Sequence, residues 1–311
     1  MHVLAGTRLF CCLCALALAA GVLAPAATAQ EAERLVFRSS VDLVSVAAVV
    51  RDKRGRIVRS LTREDFELID AGQPRPVVDF QSDATAPASI TFLIDGSGSM
   101  AAGGEAVRHI SEMLLAHLTP ERDEAALMSF DTRLLTLRPF TTDLDRVRRG
   151  FEDVDAFGSS SIYDAIAGTA GMIADRTGRR RAMVVITDGA DNASIYTSYQ
   201  VASIASAIDV PVYVFTVGHD VTREAEYHDK AWAAGTSLME LARSTGGDIF
   251  YAGTRVDREA AVARVIDELR HQYLIAFEPS PRPGLHRIEV RTRNSELKVR
   301  SRRWYGNGLS D

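Results

Sequence analysis

The sequence predicts an α/β protein: a mainly parallel, doubly wound sheet with helices on both faces, inserted in or flanked by a small antiparallel β-sandwich. Three observations predict it. The runs "ITFLID" (90–95), "AMVVITD" (182–188) and "VPVYVFTVG" (210–218) are apolar without alternation, as in strands buried on both faces. Between them the apolar spacing lengthens to that of helices. At either end of the chain, short extended stretches alternate apolar with polar residues, the period of strands with one face in water.

The chain opens on Arg8, a nearly continuous apolar run over 9–24, and the small residues Ala27-Thr28-Ala29. This is the pattern of a secretory signal peptide over 1–29, and it predicts a periplasmic or secreted protein. The run is short for a membrane span and has no charged stop after it, and no later stretch reaches spanning length. Cys11, Cys12 and Cys14 all lie in this leader, so the mature chain has no disulfide and no thiolate ligand. Bulky Phe10 and Leu13 argue against a lipid anchor on Cys12 or Cys14. The formal charge of −5 becomes one unit more negative when Arg8 leaves with the leader, which gives no basis for a nucleic-acid partner.

The β-rich N-terminal flank, 30–88, holds "VDLVSVAAVVRD", "GRIVRS", "DFELID" and "RPVVDFQS", separated by turn signals at Lys53-Arg54-Gly55 and Ala71-Gly72. The α/β region, 89–272, carries helical stripes at Val107, Ile110, Leu114 and Leu118, at Ile162, Ile166 and Ile173, and at Val201, Ile204, Ala205 and Ile208. A last helix over 257–271 presents Val262, Val265, Ile266 and Leu269. The C-terminal flank, 273–311, completes "QYLIAFEP", "LHRIEVRTR" and "LKVRSRRWY", broken between Pro279 and Gly284. Neither flank has enough strands to bury its own apolar face, so the two are expected to pair into one sandwich. The arginines at 282–303 then read as a solvated strand face, and "RTGRRR" (176–181) as a solvated loop.

In an open α/β sheet, ligands bind at the carboxyl ends of the strands, and Asp95 and Asp188 end two of them. Paired carboxylates repel unless a cation lies between them, and carboxylate and hydroxyl oxygens suit Mg²⁺, Mn²⁺ or Ca²⁺. Gly96 and Gly98 allow a tight loop on which Asp95, Ser97 and Ser99 converge. Other motifs fail. An EF-hand counted from Asp95 finds Met100 and Ala106 where glycine and glutamate belong; a P-loop from Gly98 ends in Gly104-Glu105; neither serine fits G-x-S-x-G, and no HExxH occurs.

Residues 89 to about 272 resemble the von Willebrand factor A family, whose fold is Rossmann-like. Its metal-ion-dependent adhesion site begins with D-x-S-x-S, matched by Asp95, Ser97 and Ser99. The second element, usually threonine in G-G-T-x-L-Y-D-A, aligns with "GSSSIYDA" and places Ser160 at the threonine, with Ser159 and Ser161 one residue to either side. The third, aspartate in a strand-ending T-D-G, matches Asp188 in "VVITDGADN". The flanks look like the frame of secreted von Willebrand factor A-related proteins first grouped from Acidobacteria.

The resemblance implies a metal-dependent adhesion or assembly module, not an enzyme, whose divalent cation, Mg²⁺ foremost, captures an aspartate or glutamate of a protein partner. Two other readings compete. A metal-independent envelope scaffold would bind through the sandwich or through loop 219–237, with Tyr227 and Trp232 as contact surface. A metal-assisted hydrolase would need a general base, and no histidine falls in the three motif segments; His219 and His228 lie in that loop. Asp164 reads as a helix-dipole acid, Asp191 and Asn192 as shapers of the loop after Asp188, and Tyr163 as packing.

Overall fold

The structure, a computed structural model, describes residues 43–207, 209–218 and 238–307. The leader, Ile208 and the loop carrying His219, Tyr227, His228 and Trp232 lie outside the described residues.

The chain begins with β1 (Val44–Arg51), β2 (Phe66–Asp70), β3 (Gln73–Arg75) and β4 (Asp79–Gln81). Ala71 and Gly72, both at positive φ (48° and 83°), form the two-residue turn between β2 and β3. The α/β region follows with β5 (Ala88–Asp95), α1 (Gly104–Ala116), β6 (Glu124–Phe130), β7 (Leu134–Thr141), α2 (Leu144–Gly150), α3 (Ile162–Ala174), β8 (Arg180–Thr187), α4 (Ser198–Ala207), β9 (Val212–Thr216), α5 (Leu238–Ser244), β10 (Ile249–Tyr251) and α6 (Arg255–His271). The chain then returns as β11 (Tyr273–Phe277), β12 (Gly284–Thr292), β13 (Lys298–Ser301) and β14 (Trp304–Asn307).

The central sheet has the order β10-β9-β8-β5-β6-β7, parallel except for β7. Alternate residues of β5 face opposite cores. Phe92 packs with Ile110, Leu114, Val262 and Val265, so α1 and α6 cover one face. Leu93 packs with Ile166, Ile173, Val201 and Leu241, so α3, α4 and α5 cover the other. β5 is followed by a helix on the first face and its neighbour β8 by one on the second. Their carboxyl ends flank the point where the winding reverses.

The end strands pair as the alternation requires. One antiparallel sheet is β13-β1-β11-β4 and the other β14-β12-β2-β3, each mixing strands from before and after the α/β region. Val46, Val50, Phe66, Leu68, Ile275, Phe277, Ile288 and Tyr305 fill the space between them.

Several elements differ from expectation. "GRIVRS" forms only a bridge, Arg51 to Ile57. "LKVRSRRWY" divides at Arg302 into β13 and β14, which belong to different sheets. β6, "EAALMSF", lacks β-branched residues and gives no local strand signal, yet it lies inside the sheet. Ile204 points outward at 37% exposure, because α4 packs through Val201, Ala202 and Ala205.

The largest correction concerns three of the arginines read as solvated; Arg282, Arg287, Arg291, Arg293 and Arg303 are exposed as expected, but Arg180, Arg300 and Arg302 are not. Arg302 is buried, donates to Ser206 O (2.6 Å) and to Ser45 O, and pairs with Asp209 at 3.2 Å. Arg300 pairs with Asp248 (2.7 Å) and with fully buried Glu268, which also holds Arg51 at 2.7 Å. Arg180, 1% exposed, donates to Gln272 O (2.7 Å) and Asp83 O (2.6 Å). Those carbonyls lie on the two crossings between sandwich and α/β region. Period-2 alternation places such residues on the face away from the sandwich core, but that face is covered here by the α/β layer.

Replacing Arg180 with glutamine leaves the buried Gln272 carbonyl short of a charged donor and removes the tie to exposed Asp83, and the expected loss is about 2 kcal/mol of unfolding free energy. Urea denaturation of Arg180→Gln beside the parent chain measures it. A change within about 0.5 kcal/mol, the range of an ordinary surface substitution, would show the contact to be incidental.

Candidate metal centre at the winding reversal

Asp95 is the last residue of β5, and the loop after it is held by backbone contacts that leave little freedom. Gly96 N donates to Phe130 O (2.7 Å), Phe157 N to Gly96 O (2.6 Å) and Gly98 N to Gly158 O (3.0 Å). A Cβ on Gly96 would stand 2.7 Å from Asp155 O, so this approach requires glycine. The chain then enters a short 3₁₀ turn, Gly98–Gly103, ahead of α1.

Four of the five expected ligands are gathered here. The Asp95 carboxylate accepts from Ser97 N on Oδ1 (2.9 Å) and from the Ser160 hydroxyl on Oδ2 (3.0 Å). Ser97 Oγ and Ser99 Oγ lie 3.1 Å apart. Asp95, Ser97 and Ser160 are buried and Ser99 is exposed. Asp188, half-buried, follows β8 directly, accepts from Ala190 N (3.0 Å), and shares a cleft with Ser99. Tyr227 and Trp232 lie outside the described residues.

Sequence reasoning missed Thr187. Its hydroxyl donates to Asp95 Oδ2 (2.5 Å) and accepts from Gly189 N (3.0 Å), joining the ends of β5 and β8. Its only local signal is its place one residue before Asp188. The neighbouring polar residues fix Ser160 in turn. Asn192 accepts from Ser160 N (2.9 Å), and the amides of Asn192 and Ala193 both donate to Ser160 O at 3.0 Å. Asp191 accepts from Tyr163 N (3.1 Å) and Ser194 Oγ (2.6 Å), and Asp164 from the amides of Ile195 and Tyr196. Asp164 thus anchors a loop, beyond the helix-dipole role read for it.

Burial pushes the Asp95 carboxyl above its ordinary range, a shift only partly offset by hydrogen bonds from Thr187, Ser97 and Ser160. Among the described residues no basic side chain pairs with Asp95 or Asp188, and no group of three or more His, Cys, Asp or Glu is arranged to hold a metal. The donors are therefore carboxylate and hydroxyl oxygens around a desolvated charge. That set fits a hard cation such as Mg²⁺, Mn²⁺ or Ca²⁺ and offers no nitrogen or sulfur for softer metals.

Residues 90–190 match the model of the von Willebrand factor type A domain. A search of curated protein sequences finds no match. Among solved structures, proximal thread matrix protein 1 of the mussel byssus, with a zinc-occupied MIDAS motif, is 14% identical at a TM-score of 0.50; the match covers 64% of this chain and 49% of that one. A von Willebrand factor type A protein from Catenulispora acidiphila is 11% identical (TM-score 0.49, 86% and 76% covered). The BatB protein of Bacteroides thetaiotaomicron is 19% identical (TM-score 0.46, 58% and 98% covered). The likeness to these structures concerns the fold alone.

An acid whose folded pKa exceeds the unfolded value of 3.8 favours folding below pH 3.8 and loses that contribution as pH rises through the folded pKa. At pH 7 without metal, charged Asp95 is therefore a cost. Asp95→Asn is expected to raise the thermal midpoint in chelator at pH 7, with a smaller gain at pH 4, and to abolish any rise on adding Mg²⁺. Scans at both pH values test this; a lower midpoint at pH 7 would mean that the carboxylate stabilises the fold without a cation.

Proposed function

We propose that this chain is an exported, metal-dependent protein-binding module whose divalent cation captures an acidic side chain of a partner. The observation that carries the reading is the buried Asp95 carboxylate, held by the amide of Ser97 and the hydroxyls of Ser160 and Thr187 at the winding reversal, with no basic partner among the described residues. The leader over 1–29 supports export, and the three sequence elements of the adhesion site support Asp95, Ser97, Ser99, Ser160 and Asp188 as the residues that would hold the ion.

A bound cation would supply an electrophilic position for an incoming carboxylate oxygen. The residues of this chain set the conditions for that. Asp95 brings charge from a rigid strand end, Ser97 and Ser160 are fixed by backbone contacts, and Thr187 holds the Asp95 carboxylate against the end of β8. Exposed Ser99 and half-buried Asp188 form the side open to a partner. Ser160 offers the same oxygen as threonine without the methyl that restricts its rotamer. Hydroxyls and carboxylates with no histidine among them favour binding over turnover, because proton transfer would need a base near neutral pKa.

Calorimetric titration with Mg²⁺ and Mn²⁺, carried into the millimolar range, is expected to show saturable binding that Asp188→Ala removes. Binding equal in both proteins, or in neither, would refute the assignment.

A further inference from the structure

Beside the candidate metal centre lies a cleft of about 320 Å³ that runs from Ser99 and Asp188 to Glu105 and Arg258. Its lining also includes Gly218 and Gly253. Arg258, in the first turn of α6, is 8% exposed and is the one basic residue lining the cleft among the described residues. It donates through Nε to Ala252 O (3.2 Å), through Nη2 to Gly253 O (3.4 Å) and through Nη1 to Glu105 (2.8 Å). The two carbonyls fix the guanidinium in place. Its carboxylate partner is of another kind: the Glu105 side chain is 70% exposed and, among the described residues, held by this single ion pair. With Glu105 open to solvent, its attraction to Arg258 is weakened by screening on that side.

We propose that Arg258 is a second recognition point and that the partner offers two carboxylates, one for the cation and one that displaces Glu105 from Arg258. This rests on the metal-binding reading above and specifies the partner's chemistry. The charges favour it. A divalent cation offsets Asp95 and Asp188, and Arg258 offsets Glu105, so once Glu105 swings away the cleft offers an electrophilic cation at one end and an unpaired guanidinium at the other. A diacid matches both points, whereas a single carboxylate satisfies one and leaves the Arg258–Glu105 pair intact. Arginine suits the second point because its planar fork can take a carboxylate through two donors. The partner segment would therefore present neighbouring acidic residues, or an acidic residue beside a chain-terminal carboxylate.

The test uses acetate, malonate, succinate and glutarate as probes, titrated calorimetrically into the chain at fixed free Mg²⁺ after the Mg²⁺ titration itself. The length series covers the unknown span between the two points. At least one dicarboxylate is expected to bind about tenfold more tightly than acetate. Arg258→Gln should reduce that preference to within about twofold while leaving acetate and Mg²⁺ binding unchanged. Glu105→Gln should strengthen dicarboxylate binding, because the internal competitor is gone, and this arm serves if Arg258→Gln does not fold. Saturable Mg²⁺ binding with no preference for any dicarboxylate, a preference that survives Arg258→Gln, or one that weakens in Glu105→Gln would overturn the proposal and leave the metal site standing. No Mg²⁺ binding at all would overturn both.

Discussion

The structure depends on how the α/β region is inserted into the sandwich without loosening either. The chain leaves the sandwich after β4 and returns at β11, and both crossings run along the amino end of the parallel sheet. Arg180 sits between them. It opens β8, so its backbone is fixed by pairing to β5, while its guanidinium reaches Gln272 O on one crossing and Asp83 O on the other. Burial pulls its pKa down to about 10, which still leaves it charged at neutral pH. A buried guanidinium bonded to carbonyls offsets part of its desolvation through short, charge-assisted hydrogen bonds.

The same chemistry recurs along the junction. Arg302 ties the end of α4 to Ser45 of β1, while Arg51 from β1 and Arg300 from β13 converge on Glu268 near the end of α6. Hydrophobic contact would hold two layers together without choosing one register, but ion pairs with fixed donors and acceptors select one arrangement. The consequence reaches the candidate site. Over its 17 residues α6 is about 25 Å long; Glu268 near one end is locked to the sandwich and Arg258 near the other lines the cleft. The place of Arg258 beside Ser99 and Asp188 is thus set partly by contacts about 15 Å away along the helix.

Legibility in the sequence followed the physical range of each signal. Strands buried on both faces and helices with a clear stripe stood out, because burial pattern and period are local properties; β5, β8, β9, α1, α3 and α6 were readable on that basis. β6 was not, because Ala-Ala-Leu-Met has no strand preference of its own and is extended only through its neighbours β5 and β7. The five proposed ligands could be read from motif spacing, and four of them lie in one hydrogen-bonded cluster. Thr187 could not, since its role depends on β5 and β8 lying side by side. The arginines misled for a related reason: alternation tells which side of a strand faces away from its own core, but not whether another layer waits there.

The makeup of the cluster around Asp95 bears on why a cation would be favoured there. An arginine or lysine within reach of the carboxylate would neutralise it permanently, and a metal would gain little by entering. Hydroxyls behave differently. Those of Ser160 and Thr187 donate to Asp95 and partly offset its burial, yet each keeps lone pairs that can turn toward a cation. Folding therefore holds the charge in a dry place without cancelling it, and the carboxyl rises above its usual pKa as a result. A cation entering beside Asp95 would relieve part of this desolvation cost, and that relief would add to its affinity.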